Sequence, residues 1–470
     1  MDRSAAAGQR LVVAIVGGGA SGTLAAIALL QSAALWRYPL RIVMIDRYGR
    51  HGLGQAYSTA NPEHLLNSPA DQMSAVADDP KHLIRWADAH GVDPRGFMRR
   101  RDYGRYLRHT LADAAWDAAS VASFRSVTGE VVAIRPDGAG LRLLTGADGE
   151  IQADVAFLAT GSLAPEFPFE VPASQRIIAD PWAPGALECF GRDSRVGGSN
   201  GDVLIVGTGL TALDLVLTVA GHSADATVHA VSRHGLLPRP HLEERTAEEV
   251  VRLPEFAAGP DGARLSDVAA FVRRAVAADG CAWQEVMDAL RARVPELWHS
   301  MPVSDQRVFL SRLARFWEVH RHRVPQATGE RIAALRRSGR LVVHRGRVKS
   351  VVEAGDGLRV RMTMGGGVAD FAVGWLLNGT GQGTDAARTA DPLLRDLFDS
   401  GLARPDPLGL GVDAGADGAV LDRAGASSQA LYALGPPLRG LWYETTAVPE
   451  IREQAVRLSE IVASRALRDE

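Results

Sequence analysis

The chain has 470 residues, about three times a typical domain, so more than one buried core is expected. Hydrophobic residues make up 46% and charged residues 23%, as in ordinary soluble globular proteins, and a net charge of -3 gives no electrostatic case for nucleic acid or an anionic membrane. The two cysteines, Cys189 and Cys281, lie far apart with no C-x-x-C, which excludes a disulfide scaffold, a thiol-rich metal site and a paired redox disulfide.

Ten residues precede the first apolar run, too few for a signal peptide, and no apolar stretch reaches membrane-spanning length, so the expected compartment is the cytoplasm. "RLVVAIVGGGASGTLAAIALLQS" reads as a buried strand, a glycine turn and a helix from about Ser21. Gly17 allows the tight turn, Gly19 lets backbone approach a pyrophosphate, and Gly22 lets helix and strand pack closely. The helix start at Ala20 and Ser21 then offers unpaired N–H groups to a diphosphate. A second strand, "LRIVMID", ends in Asp46, followed by Arg47, where a carboxylate can accept the ribose hydroxyls of a dinucleotide.

"GEVVAIRP" and "LRLLTGADGEIQADVAFLATGS" read as strands of a small meander closed by Ala159, Thr160 and Gly161. Here the chain resembles the two-dinucleotide flavoproteins. That resemblance implies FAD at the first turn, closure of the domain on the cofactor by Thr160 and Gly161, and an adenine contact from backbone near Val131.

"GDVLIVGTGLTALDLVLTVAG" repeats the strand–turn–helix pattern with Gly207, Gly209 and Thr211, and with Ala212 in the third glycine position. The next strand, "ATVHAVSRHG", ends in Ser232 and Arg233 instead of an acid, which favours the 2′-phosphate of NADP over the hydroxyl of NAD. A surface arginine is the alternative. Two turns therefore imply two cofactors, FAD and NADPH, whose reactive rings must meet.

From about Leu242 to Val324 the pattern is largely helical, longer than a crossover needs, and reads as an inserted subdomain. Within it "HRH" at 320–322 reads as a solvated helix end, while Trp317, His320 and Arg323 line either a cavity or a helix interface. "FAVGWLLNGTGQG" resembles a second closing segment, with Gly381 as its counterpart to Gly161, and the tail gives a strand, a Gly/Pro loop and a final helix. The expected fold is α/β, with two Rossmann-like dinucleotide-binding domains and a helical insertion. The FAD domain is expected from 1–165 and 381–470, the NADP domain from 166–241 and 326–380, and the insertion from 242–325.

The stretches 52–87, "RRDYGRYL", "NGTG" and "LRGLWYETTAVPEIREQA" resemble bacterial FAD/NAD(P)-binding proteins related to the lysine and ornithine N-hydroxylases over nearly the whole chain. The resemblance implies that the loop from Asn67 to Met73 covers one face of the flavin and that Ala447 and Val448 lie at its pyrimidine end. Leu65, Leu66 and Met73 are equally readable as ordinary core. Asn67 is the candidate polar contact to ring or substrate, in a region that also holds His51 and Tyr57. Glu444, beside Trp442 and Tyr443, either binds an amine substrate or caps and packs the final helix.

The chemistry these readings point to is an FAD- and NADPH-dependent oxidoreductase. Oxygenation of a small amine or amino-acid-like substrate through a C4a-peroxyflavin, with dioxygen as co-substrate, is preferred. A reductase or electron-transfer flavoprotein, or a poorly active redox sensor, stays as an alternative. No metal, nucleic acid or membrane partner is expected, and oligomeric state stays open.

Overall fold

The computed structural model describes residues 10–146, 149–190, 201–223, 225–242, 251–256, 262–277, 282–383 and 385–468. The chain starts with β1 (Leu11–Val16), α1 (Ala20–Trp36) and β2 (Leu40–Asp46), then α2 (His82–Ala89) and α3 (Arg100–Asp117). Next come β3 (Ala122–Thr128), the meander β4 (Val131–Asp137), β5 (Gly140–Thr145) and β6 (Gly149–Ala153), and β7 (Val155–Leu158). A short β8 (Ile177–Ile178) precedes the second nucleotide unit of β9 (Val203–Val206), α4 (Leu210–His222) and β10 (Val228–Ser232). The insertion supplies α5 (Leu265–Ala277), α6 (Trp283–Ser300), α7 (Val303–Val308), a π-helical turn at Phe309–Leu313 and α8 (Ala314–Arg321). The chain returns through α9 (Gln326–Arg337), β11 (Leu341–Ala354), β12 (Gly357–Met364), β13 (Gly367–Val373) and β14 (Trp375–Asn378). It ends with α10 (Pro392–Ser400), β15 (Ala419–Leu421), β16 (Ser427–Ala433), a short α11 (Arg439–Trp442) and α12 (Val448–Ala466).

Two large sheets result beside the separate three-stranded meander β4-β5-β6, and the central strands of the two have the same order. The first runs β15-β16-β7-β1-β2-β3 and the second β13-β12-β11-β10-β9-β14-β8. In both, the strand before the glycine turn (β1 or β9) lies between the next strand and a strand from much later in sequence, with parallel pairing on each side. That is the topological switch point, where the carboxyl ends of neighbouring strands lead to opposite faces and leave a crevice. The first sheet draws β16 from residues 427–433 and pairs it parallel to β7, so both ends of the chain build one sheet.

α1 is apolar nearly all round because it is covered on several sides. It lies in the core that includes β1, and α12 and α3 pack on it through Leu458, Val462 and Leu107. α4 is buried in the same way in the second core. β11 is long enough for two roles: its first five residues pair parallel with β10, and after residue 346 it turns into an antiparallel hairpin with β12 through a bulge at Val348/Ser350.

Candidate cofactor and active site

At the first turn Gly17 has φ +109°, and a Cβ there would lie 2.2 Å from the Ala159 carbonyl oxygen. A Cβ on Gly22 would lie 1.9 Å from the carbonyl oxygen of Gly17. Glycine is therefore required at both positions, and the segment closing with Thr160 and Gly161 (φ +76°) backs the turn directly. α1 has Gly19 at its N-cap, no side-chain cap and no acidic residue in its first turn, so the amides of Ala20 and its neighbours face a site without a carboxylate of their own. The Ser21 hydroxyl faces Gly435, where a Cβ would approach it to 2.5 Å.

Asp46 stands at the tip of β2. One carboxylate oxygen accepts from Gly18 N (3.1 Å), and the other accepts from Tyr48 N (3.0 Å) and Arg50 N (2.8 Å). Its carbonyl accepts from Gly129 N (3.0 Å), which brings buried Val131 to the same rim. Arg47 is ion-paired with Glu130 (3.0 Å) and Asp391 (3.2 Å), so its charge is spent on protein partners. Met73, Val448 and Leu66 are buried in the same core, while Leu65 is half-buried. Ala447 is the N-cap of α12, which also lacks a side-chain cap.

The second turn repeats the geometry. Gly207 has φ +126° and its Cβ would lie 1.9 Å from the Gly379 carbonyl oxygen, while a Cβ on Gly379 would press on Ala212 at 3.1 Å. The close approach therefore falls on Gly379, two residues before the expected Gly381, whose φ is +84° with open space around it. Gly209 caps α4, again with no side-chain cap and no acid in the first turn, and Thr211 is half-buried beyond it. Asn378 is fully buried, and its Nδ2 has no partner among the described residues. The Ser232 hydroxyl accepts from Thr208 Oγ1 (2.8 Å) and Gly235 N (3.0 Å), so it shapes the turn instead of pointing outward. Arg233 is exposed at the rim.

The two nucleotide units are clamped together by residues whose partnership is not visible in sequence, although Arg100 opens "RRDYGRYL" and His64 lies in the stretch 52–87. Arg100 of α3 forms a bidentate pair with Asp214 of α4 (2.6 and 3.3 Å), with side chains only 14% and 10% exposed. Buried His64 bonds the Asp214 carbonyl (2.9 Å) and Thr59 Oγ1 (2.8 Å), and burial depresses its pKa below the usual range. Asn67 belongs to this seam. Its carbonyl accepts from His241 Nε2 (3.0 Å), and its carboxamide bonds no described residue.

The insertion closes on the segment before α12. Glu444, 4% exposed, accepts from Trp317 Nε1 (3.0 Å) and from Arg321 (3.0 Å), so both its oxygens are engaged. It does not cap α12. Glu318 accepts from Arg439 (3.1 Å) and Tyr443 Oη (3.0 Å) and faces His322 Nε2 (3.0 Å). Burial would raise the Glu318 carboxyl, but His322, Arg439 and Tyr443 outweigh it and hold its pKa at about 2. Tyr443 adopts φ +55°, stacks on Trp298 at 4.6 Å and meets Phe309 edge-on at 5.2 Å. The "HRH" run is thus no solvated helix end. Arg321 is buried in an ion pair, His322 meets Glu318, Arg323 pairs with Asp288, and His320 sits edge-on to Trp283 at 4.8 Å. The helix-interface alternative holds for this group. Nearby, a cleft between the two connecting segments is lined by Thr160, Gly161, Gln382, Leu410, Pro437 and Arg439.

Cys189 is half-buried and burial raises its thiol pKa, while Cys281 lies outside the described residues. Among the described residues there is no cluster of potential metal ligands, and no helix is long and apolar enough to cross a membrane.

A family model described as FAD-NAD(P)-binding matches residues 14–163. No curated protein sequence matches the chain. Among solved structures, an L-lysine 6-monooxygenase from Pseudomonas syringae is similar at TM-score 0.64 and 16% identity, covering 97% of this chain and 99% of that one. The ornithine N-hydroxylase of Kutzneria sp. 744, with reduced FAD, NADP+ and L-ornithine, is similar at TM-score 0.61 and 18% identity, covering 97% and 100%. The thioredoxin reductase of Lactococcus lactis shares the architecture at TM-score 0.53 and 11% identity, covering 98% and 100%. The chain thus has the two-dinucleotide flavoprotein architecture, an FAD/NAD(P)-binding α/β fold common to monooxygenases and reductases.

Proposed function

We propose that the protein is an FAD- and NADPH-dependent monooxygenase acting on a small amine or amino-acid-like substrate. The observation that carries this reading is the sealed contact between the insertion and residues 439–444. An oxygenating flavoenzyme needs its site shielded from water, whereas an electron carrier needs an exposed flavin edge. Trp298, Tyr443 and the Glu444–Arg321 pair are buried in that contact, and Phe309 packs against it partly buried. The Pseudomonas and Kutzneria enzymes, which act on lysine and ornithine, support the substrate class. A disulfide reductase is disfavoured by the absence of any adjacent cysteine pair.

In this reading the uncapped amides after Gly17 hold the FAD diphosphate and Asp46 takes ribose hydroxyls. FAD when bound supplies hydride acceptance and oxygen activation. Asn67 offers its carboxamide to the ring or the substrate, and Arg233 takes the 2′-phosphate of NADPH. Glu444 acts by anchoring the insertion, since its oxygens are already committed.

Anaerobic NADPH reduction of the FAD-loaded protein, followed by oxygen with lysine, ornithine or related amines, tests the proposal. Hydroxylated product in step with NADPH consumption is expected. Hydrogen peroxide in full yield with every amine would replace it with a reductase reading. Arg233→Ala is expected to raise the KM for NADPH about tenfold to a hundredfold and to change NADH use little, since charge-assisted phosphate bonds are lost. Equal weakening of both cofactors would make Arg233 a structural residue.

A further inference from the structure

The tip of the second sheet gathers guanidinium groups that pair with no carboxylate among the described residues. Ser232 is in register with Arg345 across the parallel β10–β11 pair, and the turn folds so that a Cβ on Gly235 would sit 3.5 Å from the Cβ of Arg345. Arg347, two residues on, projects from the same face of the strand. From the other side Arg315 of α8 hydrogen-bonds His234 Nε2, and Phe316 places its ring 6.2 Å from the imidazole. His234 therefore stands among Arg315, Arg233, Arg345 and Arg347, and burial together with these four charges lowers its pKa below the usual imidazole range. None of the four forms an ion pair with a described residue, whereas Arg321, Arg323 and Arg439 of the neighbouring seam each hold a carboxylate. Arg315 also leaves Nε buried with no partner among the described residues.

We infer that Arg315 of the insertion and Arg345 of β11 act with Arg233 as one receptor for a ribose 2′-phosphate, so that the insertion reads the cofactor as well as the second sheet. The inference rests on the assignment of the second turn to NADPH. Like charges crowded within a Debye length repel, and a phosphate monoester is the ligand that relieves this. The receptor is preorganised, because Thr208, Ser232 and the Gly235 amide fix the turn by hydrogen bonds before any ligand arrives. Arg315 follows directly on the π-helical turn Phe309–Leu313, an irregularity that rephases a helix and is frequent at functional sites.

The test is calorimetric titration of the FAD-loaded full-length protein with adenosine 2′,5′-bisphosphate, 5′-AMP and inorganic phosphate. Arg315→Ala and Arg345→Ala are each expected to weaken the bisphosphate about tenfold, the size of one charge-assisted contact, while leaving 5′-AMP nearly unchanged. Arg315→Lys should recover part of the loss. Arg315→Gln and Arg345→Gln repeat the measurement if either alanine variant loses FAD or melts early. Unchanged bisphosphate affinity in the Arg315 and Arg345 variants, with a loss in Arg233→Ala, would overturn the shared receptor and leave the NADPH reading standing. A wild-type protein that binds the two adenosine compounds alike would overturn the NADPH reading itself. Inorganic phosphate bound as tightly as the bisphosphate would make the cluster a general anion site and overturn the inference.

Discussion

Gly17 and Gly207 mark the positions where single residues decide whether a nucleotide can be held. Each has a positive φ, and each would drive a Cβ into a carbonyl of the segment that closes its own unit. Gly17→Ala is therefore expected to give protein that purifies with little FAD, read as the ratio of flavin to protein absorbance. The left-handed backbone alone costs about 1–2 kcal/mol for a non-glycine residue, before the clash with Ala159. Full flavin content in this variant would show that the turn does not hold the cofactor. These glycines were readable from spacing because backbone geometry constrains residue type directly. Ser232 shows what spacing leaves out: its hydroxyl accepts from the Gly235 amide and from Thr208 Oγ1, so it shapes the turn whatever the ligand.

Elements are legible where a glycine turn joins two continuous apolar runs, as in β1, α1, β9 and α4, and where short strands alternate, as in the meander. The insertion was legible as helix but not as an interface. A run such as His320 to Arg323 looks solvated because the partners of its two arginines, Glu444 and Asp288, lie on the returning tail and on α6, 123 and 35 residues away. Pairing at that separation leaves no local trace, whereas Glu318 meets His322 at i,i+4 on the same helix. The seam makes a prediction for acid. Glu318 is held at about 2 in the folded protein against an ordinary 4.5, so its contribution is fully present above about 4.5 and is lost as pH falls toward 2. Tryptophan fluorescence from Trp298 and Trp317 is expected to report loosening of the insertion in that window. Glu318→Gln should already be loosened at neutral pH and show a flatter profile. An identical acid transition in the variant would assign the event to another carboxylate.

At the scale of the whole molecule, the Arg100–Asp214 pair and His64 hold the two nucleotide units in one orientation. Both charges are nearly buried, so removing one leaves the other desolvated. Arg100→Ala is expected to destabilise the protein by about 3–5 kcal/mol in urea unfolding, and an apolar pair, Arg100→Met with Asp214→Leu, should recover most of it. A loss under about 1 kcal/mol would mean the pair is solvated, as exposed salt bridges are. The doubled architecture is visible in the sequence from its two glycine turns, but this clamp is not, because Arg100 and Asp214, each within a recognisable stretch, stand 114 residues apart and their pairing leaves no local pattern.

The pairing of β16 with β7 also bears on how the protein is made. As the chain leaves the ribosome, strands β9, β10, β11 and β14 are all available by Asn378, so the second sheet can close first. The first sheet must wait for residues 427–433, and α1 must wait for α12. Until then β7 presents an unpaired edge and α1 an uncovered apolar flank, the surfaces on which nascent chains associate wrongly. The half of the molecule that is translated first is therefore the half that finishes folding last.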